Sequence, residues 1–297
     1  MAANRATVAN GWSLAILAAF AVPACQGASP GSSQGGAGAG GTARGSGGGG
    51  SRGSGGGGAA GGPAVWSPTT GTTWQWQLKG TIDQTVSAQM FDLDLFDAPE
   101  DVVASLHAAG HPVVCYANAG VFESWRPDAA MFPAAVKGNA DPGWQGEQWL
   151  DIRQWSVLKP ILEGRMDLCR SKGFDGIELD NVDGYSNDTG FPLTAANQLT
   201  FNRALAASAH ARGLSVGLKN DLEQAADLVG QFDWALNEQC FEYGECAALK
   251  PFVDARKAVF NVEYNLSTSA FCPQAKTMGL SSILKNVALD AYRVACP

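Results

Sequence analysis

Carboxylate side chains follow one another at two points where short apolar runs end. Glu178, Asp180 and Asp183 lie within the stretch from 175 to 185, and Glu238 ends a later run directly after Asn237. A pair of carboxylates can break a glycosidic bond when one acts as nucleophile or base and the other donates a proton to the leaving oxygen. These residue types therefore indicate glycoside hydrolysis as a chemistry open to this chain.

Motifs for other chemistries are missing from the part of the sequence that has the composition to fold. After residue 62 there is no Gly-x-Ser-x-Gly, no His-Glu-x-x-His and no glycine-rich phosphate loop. The three histidines, His107, His111 and His210, fall on predicted helices or helix ends, and we expect them to pack or to face solvent. We therefore expect no Ser–His triad, no metal and no cofactor.

Eight short β-like runs alternate with helical stretches from residue 66 onward. The runs are 74–78, 89–94, 112–117, 175–180, 214–219, 233–237, 258–263 and 281–285. Glycines that suit helix C-caps precede three of them: Gly110, Gly173 and Gly213. Amphipathic segments such as 98–109 and 194–212 separate the runs, whereas the first connection, 79–88, is too short for a full helix. This alternation predicts an α/β fold, a (β/α)8 TIM barrel.

The carboxyl ends of the runs are rich in polar residues, and barrel enzymes carry their active sites at that end. One polar strand end has a plain explanation, because strands leave the core there, but six or more favour a shared cleft. The candidate substrate-binding residues are Asp92, Asp94, Tyr116, Asn118, Glu178, Asn181, Asp183, Lys219, Asn220, Asn237, Glu263 and Tyr264. Lys219 is expected to pair with carboxylates rather than to act as a nucleophile. Five tryptophans lie near the expected rim or the core: Trp74, Trp76, Trp125, Trp144 and Trp149.

Strand parity predicts which of these side chains face the barrel axis, because alternate residues of a strand face opposite sides. In the third run Tyr116 and Asn118 point inward, and in the fourth Glu178 and Asp180 do. In the sixth run we assign the inward positions to the small or polar residues Asp233, Ala235 and Asn237. That assignment leaves Glu238 out of phase, so a bulge or the strand end must turn it into the cleft.

Seven cysteines indicate an oxidising compartment. Apart from Cys25 they form an even set with no Cys-x-x-Cys: Cys115, Cys169, Cys240, Cys246, Cys272 and Cys296. Parity turns Cys115 toward the helical layer, where Cys169 lies, so a disulfide between them is reasonable, with two buried thiols as the alternative. Cys240 and Cys246 are close enough to close one loop, and the partners of Cys272 and Cys296 stay open.

Residues 1–25 have the features of an export signal, since Arg5 precedes an apolar run too short to span a bilayer. Residues 22–25 resemble a bacterial lipobox that would lipidate Cys25, with ordinary cleavage near Ala24 as the alternative. Residues 26–62 are nearly all Gly, Ser and Ala, typical of a disordered linker, and 63–297 form the predicted enzyme domain. We expect an exported protein, either an outer-membrane lipoprotein at the bacterial cell surface or a secreted one.

Charge is divided unevenly along the chain. Residues 1–62 hold 20 of the 37 glycines and no Asp or Glu, so the remainder carries all 28 acids against 17 of the 20 bases. This acidic balance argues against a nucleic-acid partner, which needs a basic face for phosphates. We expect a polysaccharide substrate, membrane contact only through the N-terminal anchor, and a monomer.

Several blocks of the sequence resemble those of glycoside hydrolase family 114 and occur in the same order. The blocks are 74–78, 115–120, 125–128, 149–153, 175–185, 217–220, 237–240 and 262–264. The resemblance implies a TIM-barrel endo-α-1,4-polygalactosaminidase that cuts cationic, galactosamine-containing exopolysaccharide with retention of configuration. It also implies Asp180 as the catalytic nucleophile and Glu238 as the catalytic acid and base.

Two other functions remain open from the sequence. A non-catalytic barrel would hold a cationic polysaccharide at the cell surface, although a pure binder does not need both Asp180 and Glu238. A glycosidase acting on a different polysaccharide is the second alternative, because a barrel fold alone does not fix the substrate.

Overall fold

The computed structural model describes residues 65–297. The predicted signal peptide with Cys25, the predicted linker 26–62 and the first two residues of the predicted enzyme domain lie outside this range. Within residues 65–297, none of the helices has the length and apolar character needed to cross a membrane.

The described residues form an α/β fold with twelve strands and seven α-helices. The strands are β1 (Trp74–Gln77), β2 (Met90–Asp94), β3 (Val113–Asn118), β4 (Val121–Glu123), β5 (Lys137–Ala140), β6 (Glu147–Leu150), β7 (Gly176–Asp180), β8 (Ser215–Lys219), β9 (Trp234–Glu238), β10 (Val259–Glu263), β11 (Ser281–Leu284) and β12 (Val294–Ala295). The helices are α1 (Glu100–Ala108), α2 (Trp155–Ser171), α3 (Ala195–His210), α4 (Ala225–Leu228), α5 (Cys240–Tyr243), α6 (Lys250–Asp254) and α7 (Thr268–Met278).

Eight parallel strands follow one another around the main sheet in the order of the sequence: β1, β2, β3, β7, β8, β9, β10 and β11. All eight predicted strands are found, with ends shifted by at most one residue. Thr194 caps α3 through a capping box with Asn197. No helix lies between β1 and β2, as predicted. The arrangement resembles that of TIM-barrel glycosidases.

A small antiparallel sheet, in the order β4-β6-β5, was not predicted from the sequence. It follows directly after β3, and Gly120, between β3 and β4, packs so closely on Asn181 that a Cβ there would meet that residue's carbonyl oxygen. The small sheet therefore lies beside the carboxyl end of β7. Its strands are three or four residues long, too short for their apolar pattern to stand out.

Two apolar clusters fill the domain, one inside the barrel and one between the strands and the helices. The inner cluster contains Trp74, Trp76, Met90, Val114, Trp234, Leu236, Ala258, Phe260, Val262 and Ile283. The outer cluster takes the alternate residues of the same strands, including Cys115, Ile177 and Leu179, as parity predicted for β3 and β7. Trp74 and Trp76 are thus core residues rather than parts of a rim.

The predicted orientation of the sixth barrel strand, β9, is wrong. Trp234 and Leu236 belong to the inner cluster and Ala235 to the outer one, so Glu238 continues the inward set without a bulge. The large Trp234 fits inside because the neighbouring strand carries Gly217, where a Cβ would lie 2.3 Å from the indole ring. Side-chain size was therefore a poor guide to which residues of β9 point inward, because Gly217 makes room for Trp234 inside the barrel.

Three disulfides tie the domain together: Cys115–Cys169, Cys240–Cys246 and Cys272–Cys296. The first joins β3 to α2, as the orientation of Cys115 predicted. The second closes a short loop directly after β9, and the third joins α7 to the residues after β12. Cys240 and Cys246 therefore fasten the chain immediately beyond Glu238.

The barrel closes at a seam between β1 and the residues that follow β11. Among residues 65–297 no ladder joins β1 to β11 directly. The backbone N–H groups of Leu78 and Lys79 instead donate to the carbonyl oxygen of Leu289, at 2.9 and 3.2 Å. The side chain of Gln75 donates to Ala291 O at 3.1 Å and accepts from Lys285 Nζ at 3.3 Å. Residues 285–291 therefore act as a bridge across the seam.

Two histidine–aspartate pairs lie at the amino end of the barrel. His107 Nε2 lies 2.8 Å from Asp175 Oδ2, which also accepts the N–H of Val113 at 2.9 Å. The second pair repeats this arrangement: His210 Nε2 lies 2.9 Å from Asp233 Oδ2, which accepts from Val216 N. Each aspartate precedes one strand and holds the backbone of a neighbouring one, so these residues serve the fold and lie away from the strand ends.

Candidate active site

Lys219 is the centre of a carboxylate cluster at the carboxyl ends of β7, β8 and β9. Its ammonium lies 3.0 Å from Glu178 Oε1, 3.1 Å from Asp180 Oδ1 and 3.3 Å from Glu238 Oε2. Burial opposes the charged form of Lys219, but the three carboxylates outweigh burial and hold its pKa above the usual range. The lysine therefore stays an ammonium ion and pairs with carboxylates, as predicted.

Asp180 ends β7 and is held in its ionised form. Burial would raise its pKa, but the charge of Lys219, the Tyr116 hydroxyl and the backbone N–H of Asn181 together lower it. Tyr116 donates to Oδ2 at 2.7 Å, and Asn181 N donates to Oδ1 at 2.8 Å. Asn181 reaches this position with a left-handed φ of 57°. The carboxylate thus faces the cleft as a fixed anion.

Glu238 ends β9 and shares the cluster from the other side. Its Oε2 accepts from Asn220 Nδ2 at 3.2 Å, and the hydroxyl of Tyr264 donates to its Oε1. Asn220 also accepts the N–H of Glu238 at 3.0 Å, so one amide fixes both the backbone and the side chain of this residue. Gln239, which follows, has a φ of 60° and ends the strand there.

Asp92 and Glu178 form an acid pair below this cluster. Both are fully buried, and the pKa of Asp92 is raised well above its usual range by burial, by the charge of Glu178 and by a hydrogen bond with it. Burial raises the pKa of Glu178 to about 7, while Lys219 opposes the rise. Burial and the charge of Glu178 therefore both favour the neutral form of Asp92.

Two further acids, Asp183 and Asp221, follow the ends of β7 and β8. Burial and the charge of Asp180 raise the pKa of Asp183 to about 6. Burial and the charge of Asp183 raise the pKa of Asp221 to about 8, although Asn202 donates to it at 2.9 Å. Asp183 thus faces the two cluster carboxylates, and its charge changes within the range in which many enzymes work.

Four of the predicted substrate-binding residues are occupied elsewhere. Asp94 binds Arg126 through both oxygens, at 2.9 and 2.7 Å, and Asn118 accepts the N–H of Val121 at the entry to the small sheet. Asn237 donates to Asn220 from behind the cleft. Glu263 lies on the outer face of β10. These four residues support the loops around the site and do not face it.

The case of Glu263 shows why parity matters. Phe260 and Val262 belong to the inner cluster, so Glu263 points toward the helices. Its Oε1 accepts the N–H of Phe241 at 2.9 Å and Asn261 Nδ2 at 3.2 Å. A carboxylate at the carboxyl end of a barrel strand is therefore not sufficient for a place in the cleft.

The sequence did not point to Glu147 or Asp141, which the structure brings toward Asp180. Glu147 begins β6 directly opposite Glu123 of β4. Burial, followed by the charges of Glu123, Asp180 and Asp141, raises its pKa to about 9. Asp141 likewise has a raised pKa, mainly through burial and with a contribution from Asp180. The only hint in the sequence was a turn with Gly143 and Gly146, which is typical of a hairpin and would have placed Glu147 at the start of a strand.

Of the remaining tryptophans, Trp125 and Trp144 are about half exposed and Trp149 is buried. Gly146 packs against the Trp125 ring, since a Cβ added to this glycine would lie 3.1 Å from the indole. Trp125 therefore lies close to the backbone directly before Glu147. An exposed indole beside a carboxylate cluster offers a flat face for a sugar ring or a cation.

The geometry brings together a fixed anion, a second carboxylate and a buried ammonium that holds both. No group of three or more His, Cys, Asp or Glu side chains in residues 65–297 is arranged to hold a metal ion. The residues present can attack an electrophilic carbon, exchange a proton with a leaving oxygen and attract a cation.

Comparison with known proteins gives a consistent result. A model of glycoside-hydrolase family GH114 matches residues 57–297. The crystal structure of Aspergillus fumigatus Ega3 in complex with galactosamine is 38% identical, with a TM-score of 0.75 over 79% of this chain and 98% of that chain. An uncharacterized protein of Deinococcus radiodurans is 27% identical over 221 residues, or 67% of this chain and 70% of that protein.

A second solved structure shares the fold. The glycoside hydrolase domain of PelA from Pseudomonas aeruginosa has a TM-score of 0.60 over 77% of this chain and 99% of that chain. Its sequence is 16% identical, so the likeness concerns the fold alone.

Proposed function

The chain belongs to glycoside-hydrolase family GH114, and on that premise we propose that it cleaves an α-1,4-linked galactosamine polymer with retention of configuration. The single observation that carries the mechanism is the contact of Asp180 and Glu238 with one ammonium group, that of Lys219. The substrate follows from the family and from the likeness to Ega3, whose structure contains galactosamine. Asp180 ends β7 and Glu238 ends β9, the two strands on either side of β8. A sugar chain can lie across these strand ends.

The shared contact favours retention over inversion. Asp180 Oδ1 and Glu238 Oε2 lie 3.1 and 3.3 Å from the same nitrogen, and so close a placement supports retention, because inverting enzymes hold their carboxyl groups about 6.5–9.5 Å apart to admit a water molecule. Retaining enzymes hold the pair about 5 Å apart, which leaves no room for water between nucleophile and sugar.

In the proposed first step Asp180 attacks the anomeric carbon and forms a glycosyl-enzyme. Lys219, Tyr116 and the N–H of Asn181 keep Asp180 ionised and hold its orientation. Glu238 donates a proton to the leaving oxygen as the glycosidic bond breaks. In the second step Glu238 takes a proton from water, the water attacks the anomeric carbon, and Asp180 leaves as a carboxylate.

The charge of the cleft supports a cationic substrate. Asp180, Asp183 and Glu238 meet one lysine, so the cluster carries more acids than bases. A polymer of galactosamine with free amines is positively charged, and opposite charge raises both its local concentration and its rate of association.

We also propose export, with residues 1–25 as the signal, Cys25 as a lipid anchor and residues 26–62 as a tether. The three disulfides support an oxidising compartment, since such bonds are rare in the cytosol. Metabolic labelling with palmitate, with Cys25→Ser as the control, tests the anchor. A wild-type protein that takes up no label would exclude lipidation at this residue.

The decisive experiment compares Asp180→Asn and Glu238→Gln with wild type on a deacetylated galactosamine polymer. Each substitution is expected to lower kcat by about 10³-fold, and NMR of the first product should show the configuration of the substrate. Asp227→Asn, which removes an exposed acid on α4, is the matched control and should keep wild-type activity. Wild-type protein that binds the polymer without releasing product would instead favour a non-catalytic barrel.

A further inference from the structure

Glu147 is a buried acid whose side chain has no hydrogen-bond or ion-pair partner within residues 65–297. It is 7% exposed, at the start of β6 in the small sheet. Its cross-strand neighbour Glu123 differs, because Arg126 Nε donates to that carboxylate at 2.8 Å. A largely buried carboxylate that has no cation of its own, and whose oxygens still reach solvent, is suited to a ligand that supplies a positive charge.

The charged groups that act on Glu147 come from several elements, and nearly all are acids. The strongest are the acids Glu123, Asp180 and Asp141, and Arg126 opposes them. Arg126 cannot compensate for Glu147, since its guanidinium already binds Glu123 and both oxygens of Asp94. Lys219 is engaged with the acids at the ends of β7 and β9.

An exposed aromatic wall stands at the same place. Trp125 is 53% exposed and Trp144 50%, and Trp144 lies in the turn whose carbonyl accepts the N–H of Glu147 at 3.2 Å. The Trp125 ring packs on Gly146, the residue before Glu147. Aromatic faces stack on sugar rings and attract ammonium groups, so the wall and the acid can bind one amino sugar together.

We propose that Glu147, with Asp141 beside it, is the site that binds an ammonium group of the amino sugar and so selects free amines over acetylated ones. This proposal rests on the proposed function for its substrate, and it assigns amine recognition to the small sheet rather than to the barrel strands. Burial and the neighbouring acids raise the pKa of Glu147 to about 9, which favours its protonated form at neutral pH. An arriving ammonium favours the carboxylate, so binding releases a proton from Glu147 to solvent.

Calorimetry with galactosamine, N-acetylgalactosamine and galactose tests the site without hydrolysis. For wild type at pH 7, the heat of galactosamine binding should vary with the ionisation enthalpy of the buffer, which reports the released proton. Glu147→Gln should lose that release and bind galactosamine at least about tenfold more weakly, as expected for the loss of a charged partner. Its binding of galactose should be unchanged.

Glu245→Gln is the matched control, because burial also raises the pKa of Glu245 but no charged group contributes. This variant should keep the affinity and the proton release of wild type. Equal affinity of wild type and Glu147→Gln for galactosamine, or proton release that persists in Glu147→Gln, would overturn the proposal while leaving hydrolysis intact. A wild type that binds galactosamine with proton release but cuts no galactosamine polymer would overturn the proposed function alone.

Discussion

The two ends of the barrel use acids in opposite ways. At the amino end Asp175 and Asp233 each accept a strand N–H and a histidine, so every charge has a partner and the residues stabilise the fold. At the carboxyl end acids crowd around one lysine, and burial together with neighbouring acids raises the pKa of Asp92 and of Glu147. Carboxylates therefore stabilise the fold at the amino end and destabilise it at the carboxyl end. Such a cost in stability is typical of a site that binds a ligand.

Backbone conformation repeats the contrast. Four of the six non-glycine residues with positive φ stand at the carboxyl ends of neighbouring strands: Asn181, Asn220, Asp221 and Gln239. Left-handed backbone costs free energy for residues with a Cβ and persists where the surroundings impose it. At the amino end the left-handed positions before β3, β7 and β8 are instead glycines, Gly110, Gly173 and Gly213, which adopt it freely. Most of the left-handed non-glycine residues therefore lie at the end with the candidate site, whereas Arg256 precedes β10 and Leu289 lies at the seam.

The largest effect should come from Lys219→Met. The buried Glu178 and the partly exposed Asp180 and Glu238 would lose their cation, so we expect a loss of about 3 kcal/mol in the free energy of unfolding and at least about a 100-fold fall in kcat. Lys257→Met is the matched control at the amino end, where Nζ donates to Val229 O and Phe232 O. It should lose stability in chemical denaturation but keep its turnover. Full activity of Lys219→Met would remove the lysine from the site.

The next effect is a change in the free energy of unfolding when one acid is neutralised, and its sign should differ between the two ends of the barrel. Glu147→Gln should stabilise the fold at pH 7 by about 1–3 kcal/mol, since the buried acid no longer has to stay protonated against its usual pKa. The folded-state pKa of about 9 lies above the unfolded value of 4.5, so the gain is absent below pH 4.5 and grows as the pH rises.

Asp233→Asn makes the matching change at the amino end and should destabilise by about 1 kcal/mol, because a charged acceptor is replaced by a neutral one. Thermal melts of both variants between pH 4 and pH 8 measure the two signs. Destabilisation by both substitutions would show that the two ends do not differ as described.

A smaller effect concerns the pH dependence of substrate binding. Asp183 and Glu178 have pKa values raised to about 6 and about 7, so both gain negative charge as the pH rises through this range. KM for a cationic polymer should therefore fall several-fold between about pH 5 and pH 7.5. Initial rates across this range test the prediction, and Asp183→Asn should flatten the acidic part of the profile. A KM that rises with pH would contradict it.

The smallest effect is expected from the histidines. His210→Asn removes one partly exposed hydrogen bond to Asp233, which is worth about 0.5 kcal/mol, and leaves the cleft unchanged. Turnover should equal that of wild type, while the midpoint of thermal unfolding falls slightly. A marked loss of kcat would connect the amino end to the chemistry.

The sequence was sufficient for the barrel strands because apolar runs, capping glycines and helical segments alternate in a fixed order. It also predicted the inward faces of β3 and β7 from the alternation of residues along each strand, and Ile177 and Leu179 of β7 do point outward. It failed for β9, because Gly217 on a neighbouring strand makes room for Trp234 and such pairing is visible only in three dimensions. Glu147 was missed for a similar reason, since its position depends on a short hairpin whose strands are only three or four residues long.

The seam at residues 285–291 makes the domain unequal in its resistance to opening. The backbone N–H groups of Leu78 and Lys79, directly after β1, both donate to one carbonyl, that of Leu289, and no ladder joins β1 to β11 among the described residues. These amides should exchange with deuterated solvent earlier than those of β7 and β8, which have ladders on both sides. Residues 285–291 thus close the barrel between β1 and β11, and the Cys272–Cys296 disulfide restrains the chain on both sides of them. A reducing agent should loosen this seam before it disturbs the cluster around Lys219.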